Sequence, residues 1–85
     1  MEDKNYKSND KMVSHPNHYQ TKGGLETIDV IEAFTSGLEG IEAFDTGTVL
    51  KYMCRWKKKN NIQDLEKAMW YLTHLINHVK EKENE

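Results

Sequence analysis

The sequence has few of the residues that form disulfides, kink helices or anchor a protein in a membrane. It contains one proline and one cysteine in 85 residues, and no long apolar run. The lone Cys54 cannot close a disulfide within the chain, and we find no Cys-x-x-Cys pair and no signal peptide, so we expect a cytoplasmic protein. Without ~20 consecutive apolar residues, no membrane contact is expected either.

Two further absences narrow the function. The chain lacks the phosphate-binding loop Gly-x-x-x-x-Gly-Lys-Ser/Thr, and no neighbouring feature marks Cys54 as a nucleophile. A formal net charge of -2 argues against a strongly basic nucleic-acid-binding protein. The chain is 36% hydrophobic and 31% charged, which is typical of a helical domain. A chain this short buries little surface as a monomer, so we expect a homo-oligomer.

Apolar residues at helical spacing predict three helices. The first starts near Leu25, after two glycines, and ends at Gly37 or Gly40. The second starts at Ile41, continues through Trp56 and stops in the polar stretch 59–61.

The second helix has two features of its own. A shorter helix with Asp45 as its N-cap is the competing interpretation of its start. Gly47 lies inside it, where glycine costs about 1 kcal/mol relative to alanine. We interpret Gly47 as a point where another backbone or a ligand comes close.

The third helix has the clearest pattern, from Ile62 to Val79. No alternating strand pattern of useful length appears, so the predicted fold class is all-α, a three-helix domain with an ordered N-terminal loop. We expect this single domain to cover residues 13–79, with a mobile N-terminal tail at 1–12 and a charged C-terminal tail at 80–85.

Positive charge is concentrated on the second helix. Lys51, Arg55 and Lys58 follow one another at i, i+4 and i+7, which places them on one side of an unbroken helix. Such a row can cradle a phosphate, with Arg55 gripping two oxygens. The alternative is a solvated basic face paired with the acids of the first helix, and spacing alone favours this alternative.

A metal site has weaker support. The first helix carries a row of acids at helical spacing, Glu26, Asp29 and Glu32. A second set of carboxylates is lacking, since Asp64 is explained as a favourable charge in the first turn of the third helix. His74 and His78 are one turn apart but lack a third ligand. We expect no metal and no cofactor, although Mg²⁺ would be a possible cofactor of an enzyme.

The stretch SHPNHY, at positions 14–19, surrounds the only proline with two histidines. Pro16 fixes its own φ and holds His15 extended, so the imidazoles lie on a stiffened segment. His15, His18 and Tyr19 can each bond a phosphate or a carbonyl. On local chemistry alone, a loop packed over the helices is the better interpretation.

Four successive motifs resemble a small domain that is widespread in tailed bacteriophages and classed as a domain of unknown function. They read HPNHYQ, GLETIDVIEAF, F..G.VLKYMCRWKKKN and DLEKAMWYL, and they run from about Ser14 to Ile76. In some phages the same domain is part of a larger early protein described as a kinase of deoxynucleoside monophosphates.

The resemblance implies that the matched polar positions form a site rather than a packing scheme. These positions are His15, Pro16, His18, Tyr19, Glu26, Asp29, Gly47, Lys51, Tyr52, Arg55, Lys58, Asp64, Lys67 and Tyr71. Thr48 departs from the pattern, which usually has asparagine there, and this puts a side-chain amide contact in doubt. The kinase-type relatives also carry more chain around the domain.

The leading hypothesis is a phage-encoded nucleotide-binding protein of the host cell cytoplasm. It would bind a nucleotide or cyclic nucleotide, and either serve nucleotide metabolism or sequester a nucleotide signal of host defence. The expected ligand-binding residues are His15, His18, Tyr19, Lys51, Tyr52, Arg55 and Lys58; no catalytic residue is assigned.

Two alternatives stay open. One is an enzyme, either a nucleoside monophosphate kinase or, with less support, a metal-dependent nucleotide hydrolase that uses the acid row of the first helix. The other is a module that docks onto a host protein through Trp70 and Tyr71.

Overall fold

The computed structural model describes residues 23–85, which form three helices. Helix α1 spans Thr27–Thr35, α2 spans Gly40–Arg55 and α3 spans Ile62–Glu83, with a 3₁₀ turn at Trp56–Lys58 between α2 and α3. No strand occurs in this part of the chain, so the all-α prediction is confirmed. The SHPNHY stretch and the predicted tail at 1–12 lie outside the described residues.

Helix α1 begins and ends where local sequence signals place it. The Asp29 carboxylate accepts the backbone N–H of Glu26 at 3.1 Å, which satisfies a donor before the first turn. After Thr35 the chain turns through Gly37 at a φ of 87°, a left-handed conformation that glycine adopts without strain. The predicted stop at Gly37 is thus confirmed.

Helix α2 is one continuous helix, and the alternative start at Asp45 is wrong. Asp45 lies in its second turn, 1% exposed, and its carboxylate bonds a histidine of α3 instead of capping its own helix. Gly47 is buried where α1 crosses α2, and a Cβ there would lie 3.2 Å from Cγ2 of Ile31. The expected close approach at Gly47 is therefore made by α1.

The end of α2 differs from the sequence prediction. The helix stops at Arg55 rather than continuing through Trp56, because the chain tightens into a 3₁₀ turn and the N–H of Asn61 donates to the Trp56 carbonyl at 2.8 Å. Asn61 takes a φ of 51°, which asparagine tolerates better than most residues, and starts α3. Lys58 consequently lies in the turn, outside the predicted helical row.

Helix α3 is the longest element, and it runs four residues past Val79, to Glu83. The three helices enclose little apolar surface, since Tyr52 and Ala68 are the buried hydrophobic residues within 23–85. Phe34 and Met69, by contrast, are more than half exposed. None of the helices in the described range has the length and apolarity needed to cross a membrane.

Candidate functional site

A buried ion pair joins the end of α2 to the start of α3. Arg55 donates from Nε to Oδ2 of Asp64 at 3.1 Å and from Nη2 to Oδ1 at 3.3 Å. Asn60 donates from Nδ2 to the same Oδ1 at 3.2 Å. Asp64 is fully buried and Arg55 nearly so. The explanation of Asp64 as a first-turn charge was therefore incomplete, because its carboxylate is the acceptor that holds Arg55.

The ion pair sets the protonation of the buried carboxyl group. Burial alone raises the pKa of Asp64, but hydrogen bonds from Arg55 and Asn60 and the charge of Arg55 outweigh it. The pKa therefore lies below its ordinary value of 3.8. The carboxylate stays ionised at neutral pH and orients the guanidinium.

Three cations surround the ring of Tyr52, the buried tyrosine of α2. Nζ of Lys51 lies 4.7 Å from the ring centroid, Cζ of Arg55 4.9 Å and Nζ of Lys67 5.8 Å. Cations at this distance are attracted to the negative face of an aromatic ring. The arrangement concentrates positive charge from α2 and α3 at one place.

Tyr52 also forms part of a groove of about 580 Å³. The groove is lined by Tyr52, Gln63, Glu66, Lys67, Trp70 and Tyr71. Tyr71 stacks on Tyr52 with centroids 6.2 Å apart, and the edge of Trp70 meets Tyr71 at 4.9 Å. Trp70 is 60% exposed, so its indole offers an open aromatic surface beside the cations.

A carboxylate–histidine pair lies next to this groove. Nδ1 of His74 lies 2.6 Å from Oδ2 of Asp45, which is buried, and the second oxygen, Oδ1, has no hydrogen-bond partner within residues 23–85. The His74 side chain is 43% exposed and stacks on Trp70 at 5.2 Å, nearly parallel. A carboxylate bonded to one imidazole nitrogen orients the ring and turns the other nitrogen, Nε2, away.

The sequence-predicted ligand residues are partly brought together. Nζ of Lys51 and Cζ of Arg55 lie 4.7 Å and 4.9 Å from the centre of the Tyr52 ring, and Arg55 is also bonded to Asp64. Lys58 is exposed in the 3₁₀ turn. The other three, His15, His18 and Tyr19, lie outside the described residues. The ligand-binding role of all seven stays a prediction.

Other residues of the site were not among the expected ligand-binding residues. Lys67 was expected only as one of the matched polar positions, without a ligand-binding role. No local signal links Asp45 to His74, because 29 positions separate them. Trp70, which the sequence offered as a docking residue, is exposed at the groove.

One acid of the α1 row serves the helix itself. The Asp29 carboxylate accepts the backbone N–H of Glu26 at the start of α1. Within residues 23–85, no group of three or more His, Cys, Asp or Glu side chains is placed to hold a metal ion.

Comparison with known proteins places the groove within a recognised sequence region. A family model described as a protein of unknown function, DUF3310, matches residues 13–73. The Gene 1.7 protein of Enterobacteria phage T3 is 38% identical over a 63-residue alignment that covers 69% of this chain and 38% of that protein. The chain thus spans well under half the length of this relative. No solved structure matches this chain.

Proposed function

Because this chain belongs to the DUF3310 family of proteins of unknown function and has a phage relative, we propose that it is a phage-encoded nucleotide-binding protein. The observation that carries the proposal is the groove in which the exposed Trp70 lies beside Lys67 and Tyr52. An aromatic side chain stacks on a nucleobase for about 1–3 kcal/mol, and an ammonium group binds phosphate as a point charge. A nucleotide presents both a flat base and a phosphate, so it matches both surfaces.

Side chains in and beside the groove divide the binding between them in this proposal. The base stacks on Trp70, and the amide of Gln63 bonds its edge. Lys67 of the groove and Lys51, both near the ring of Tyr52, bind the phosphate. Arg55 acts indirectly, because its bond to Asp64 fixes the end of α2 against α3.

In this proposal, the predicted N-terminal loop completes the binding site. His15, His18 and Tyr19 close over the ligand, and Lys58 provides a further cation. The protein acts in the host cell cytoplasm, where it serves nucleotide metabolism or sequesters a nucleotide signal of host defence. Both roles require the same first step, which is binding of a nucleotide or cyclic nucleotide.

Titration calorimetry of the full chain against deoxynucleoside monophosphates and cyclic nucleotides tests the proposal. We expect at least one ligand to bind, and Trp70→Ala and Lys67→Ala to weaken it about 5- to 150-fold, as the loss of ~1–3 kcal/mol implies. Lys82→Ala, in the last turn of α3, is the matched control and should bind like the wild type. A folded protein that binds none of these ligands contradicts the proposal.

A second candidate is a nucleoside monophosphate kinase, and the Asp45–His74 pair favours it. A histidine oriented by a buried carboxylate can give or take a proton at a reacting group. The His74 ring stacks on Trp70, so it would lie beside a base that stacks on the same indole. Phosphoryl transfer relies mainly on positioning and charge neutralisation, so Mg²⁺ would then be required with the lysines.

Turnover separates the two candidates. The protein is incubated with ATP and a deoxynucleoside monophosphate, with and without Mg²⁺, and the diphosphate is measured. The enzyme predicts product with Mg²⁺, its loss in His74→Gln at unchanged nucleotide affinity, and normal activity in His78→Gln, the matched control one turn along α3. Intact nucleotides recovered from a protein that binds them contradict the enzyme and leave the binding protein.

A further inference from the structure

Helix α3 carries an apolar stripe that the three-helix unit leaves largely uncovered. Its members, here called the α3 seam, are Ile62, Leu65, Met69, Leu72, Ile76 and Val79. Four of them are well exposed, with Ile62 at 62%, Met69 at 61%, Leu72 at 45% and Ile76 at 44%. The seam runs along most of a 22-residue helix.

The seam repeats at alternating steps of three and four residues, which is the a/d pattern of a coiled coil. The mean spacing of the stripe is about 3.5 residues, slightly less than the roughly 3.6 residues per turn of a straight α-helix. Two helices that coil around each other keep a stripe of this spacing at their contact. The a positions are Ile62, Met69 and Ile76. The d positions are Leu65, Leu72 and Val79. The pattern is therefore suited to packing against another long helix.

Helix α2 is not that partner, because α3 contacts α2 through a different face, which lies beside the seam. The side turned to α2 contains the fully buried Asp64 and Ala68, at 5% exposure. Asp64 is held there by its bonds to Arg55 of α2. The a positions of the seam lie beside this contact and stay exposed to solvent.

We propose that the α3 seam binds the α3 seam of a second copy of this chain, with the two helices antiparallel. In this register Met69 packs against Val79 of the partner subunit, and Leu72 against Ile76 of the partner subunit. A two-fold axis between Leu72 and Ile76 repeats each contact, as a symmetric dimer requires.

The charges beside the seam favour the antiparallel direction. The same register places Glu66 opposite Lys80 of the partner subunit, and symmetry forms this pair twice. A parallel dimer would instead bring Lys80 and Lys82 of both chains to one end and align the two helix dipoles. The two Glu66–Lys80 pairs and the self-complementary apolar stripe together indicate that the α3 seam binds a second copy of this chain.

The proposed contact leaves the groove accessible. Lys67 and Trp70 lie at outward positions of the repeat, on another side of α3 from the a positions. Glu66, which lines the edge of the groove, is the one groove residue that the proposed contact uses. Assembly and ligand binding can therefore be tested separately.

The first test measures the molar mass of the full chain by sedimentation equilibrium. We expect an assembly of two copies or a multiple of two, and Met69→Glu should reduce it by breaking the seam contact. Met53→Glu is the matched control, because Met53 is 50% exposed on α2 and receives the same change. Circular dichroism verifies that both variants stay helical. A monomeric wild type, an intact assembly in Met69→Glu, or equal dissociation of both variants overturns the proposal.

The second test addresses direction by disulfide crosslinking in a Cys54→Ser background. Met69→Cys and Val79→Cys chains are mixed and oxidised mildly. The antiparallel register predicts a crosslink between the two kinds of chain and none within either kind alone. Self-crosslinking of Met69→Cys, or no crosslink in the mixture, overturns this register.

Discussion

At the scale of single residues, Arg55 shows how burial changes the role of a charged side chain. Helical spacing alone marks it as an exposed cation, part of a solvated basic face or, in the alternative, a phosphate ligand. In the structure its guanidinium bonds both oxygens of Asp64 and lies over the ring of Tyr52. A bidentate pair of this kind has fixed geometry, so Arg55 positions Tyr52 and the neighbouring Lys51.

The lowered pKa of Asp64 gives a prediction about acid stability. A carboxyl group whose pKa is lower in the folded state stabilises the fold above the unfolded pKa of about 4, and this contribution is lost as the pH falls through the folded value. We expect Asp64→Asn to be less stable than the wild type at pH 7. The difference should shrink progressively as the pH falls below about 4.

Urea denaturation at a series of pH values, followed by circular dichroism, measures this difference. Glu32→Gln removes one negative charge from an exposed position of α1 and is the control, expected to resemble the wild type at pH 7. A difference between Asp64→Asn and the wild type that persists unchanged at pH 2 would show that the ionised carboxylate is not its source.

At the scale of elements, the packing of α1 on α2 depends on Gly47. A Cβ at this position would lie 3.2 Å from Cγ2 of Ile31 and 3.7 Å from Cγ2 of Thr35. A leucine side chain cannot fit there without separating the helices, so Gly47→Leu should lower the free energy of unfolding by about 1–3 kcal/mol. Thr48→Leu, one position along the same helix, should change it by no more than about 0.5 kcal/mol. Equal losses in the two variants, measured by urea denaturation, would contradict this account of Gly47.

Periodicity predicts elements better than it predicts their ends or their partners. The stripe of α3 and the stop of α1 at Gly37 are local properties, and both were predicted. The tightening of the chain after Arg55 depends on a bond between Asn61 and the Trp56 carbonyl, which no apolar pattern encodes. The pair of Asp45 and His74 depends on tertiary packing, so it became visible only in the structure.

The candidate site was predictable in part for the same reason. Lys51 and Tyr52 are adjacent on one helix, and their contact follows from the sequence. Lys67 and Trp70 join them only because α3 folds back along α2. The sequence therefore identifies a cation-bearing segment, whereas the aromatic surface beside it requires the fold.

At the scale of the whole molecule, the described helices leave much of their apolar surface exposed. Phe34, Phe44 and Ile28 add further exposed apolar surface on α1 and α2 to that of the α3 seam. Burial of apolar side chains is the dominant favourable term in folding, at roughly 25 cal/mol per Å². We therefore expect association and folding to be coupled, as the proposed homo-oligomer implies.

Coupling of this kind makes thermal stability depend on protein concentration. When a dimer unfolds to separate chains, mass action raises its stability by about 1.4 kcal/mol for each tenfold increase in concentration. For two chains of this size, the midpoint of thermal unfolding should rise by about 3–5 °C per tenfold increase. Circular dichroism melts over a hundredfold concentration range measure this, and Met69→Glu should lower the midpoint and abolish its slope. A wild-type midpoint independent of concentration would mean that the chain folds alone and that its exposed apolar surface serves another partner.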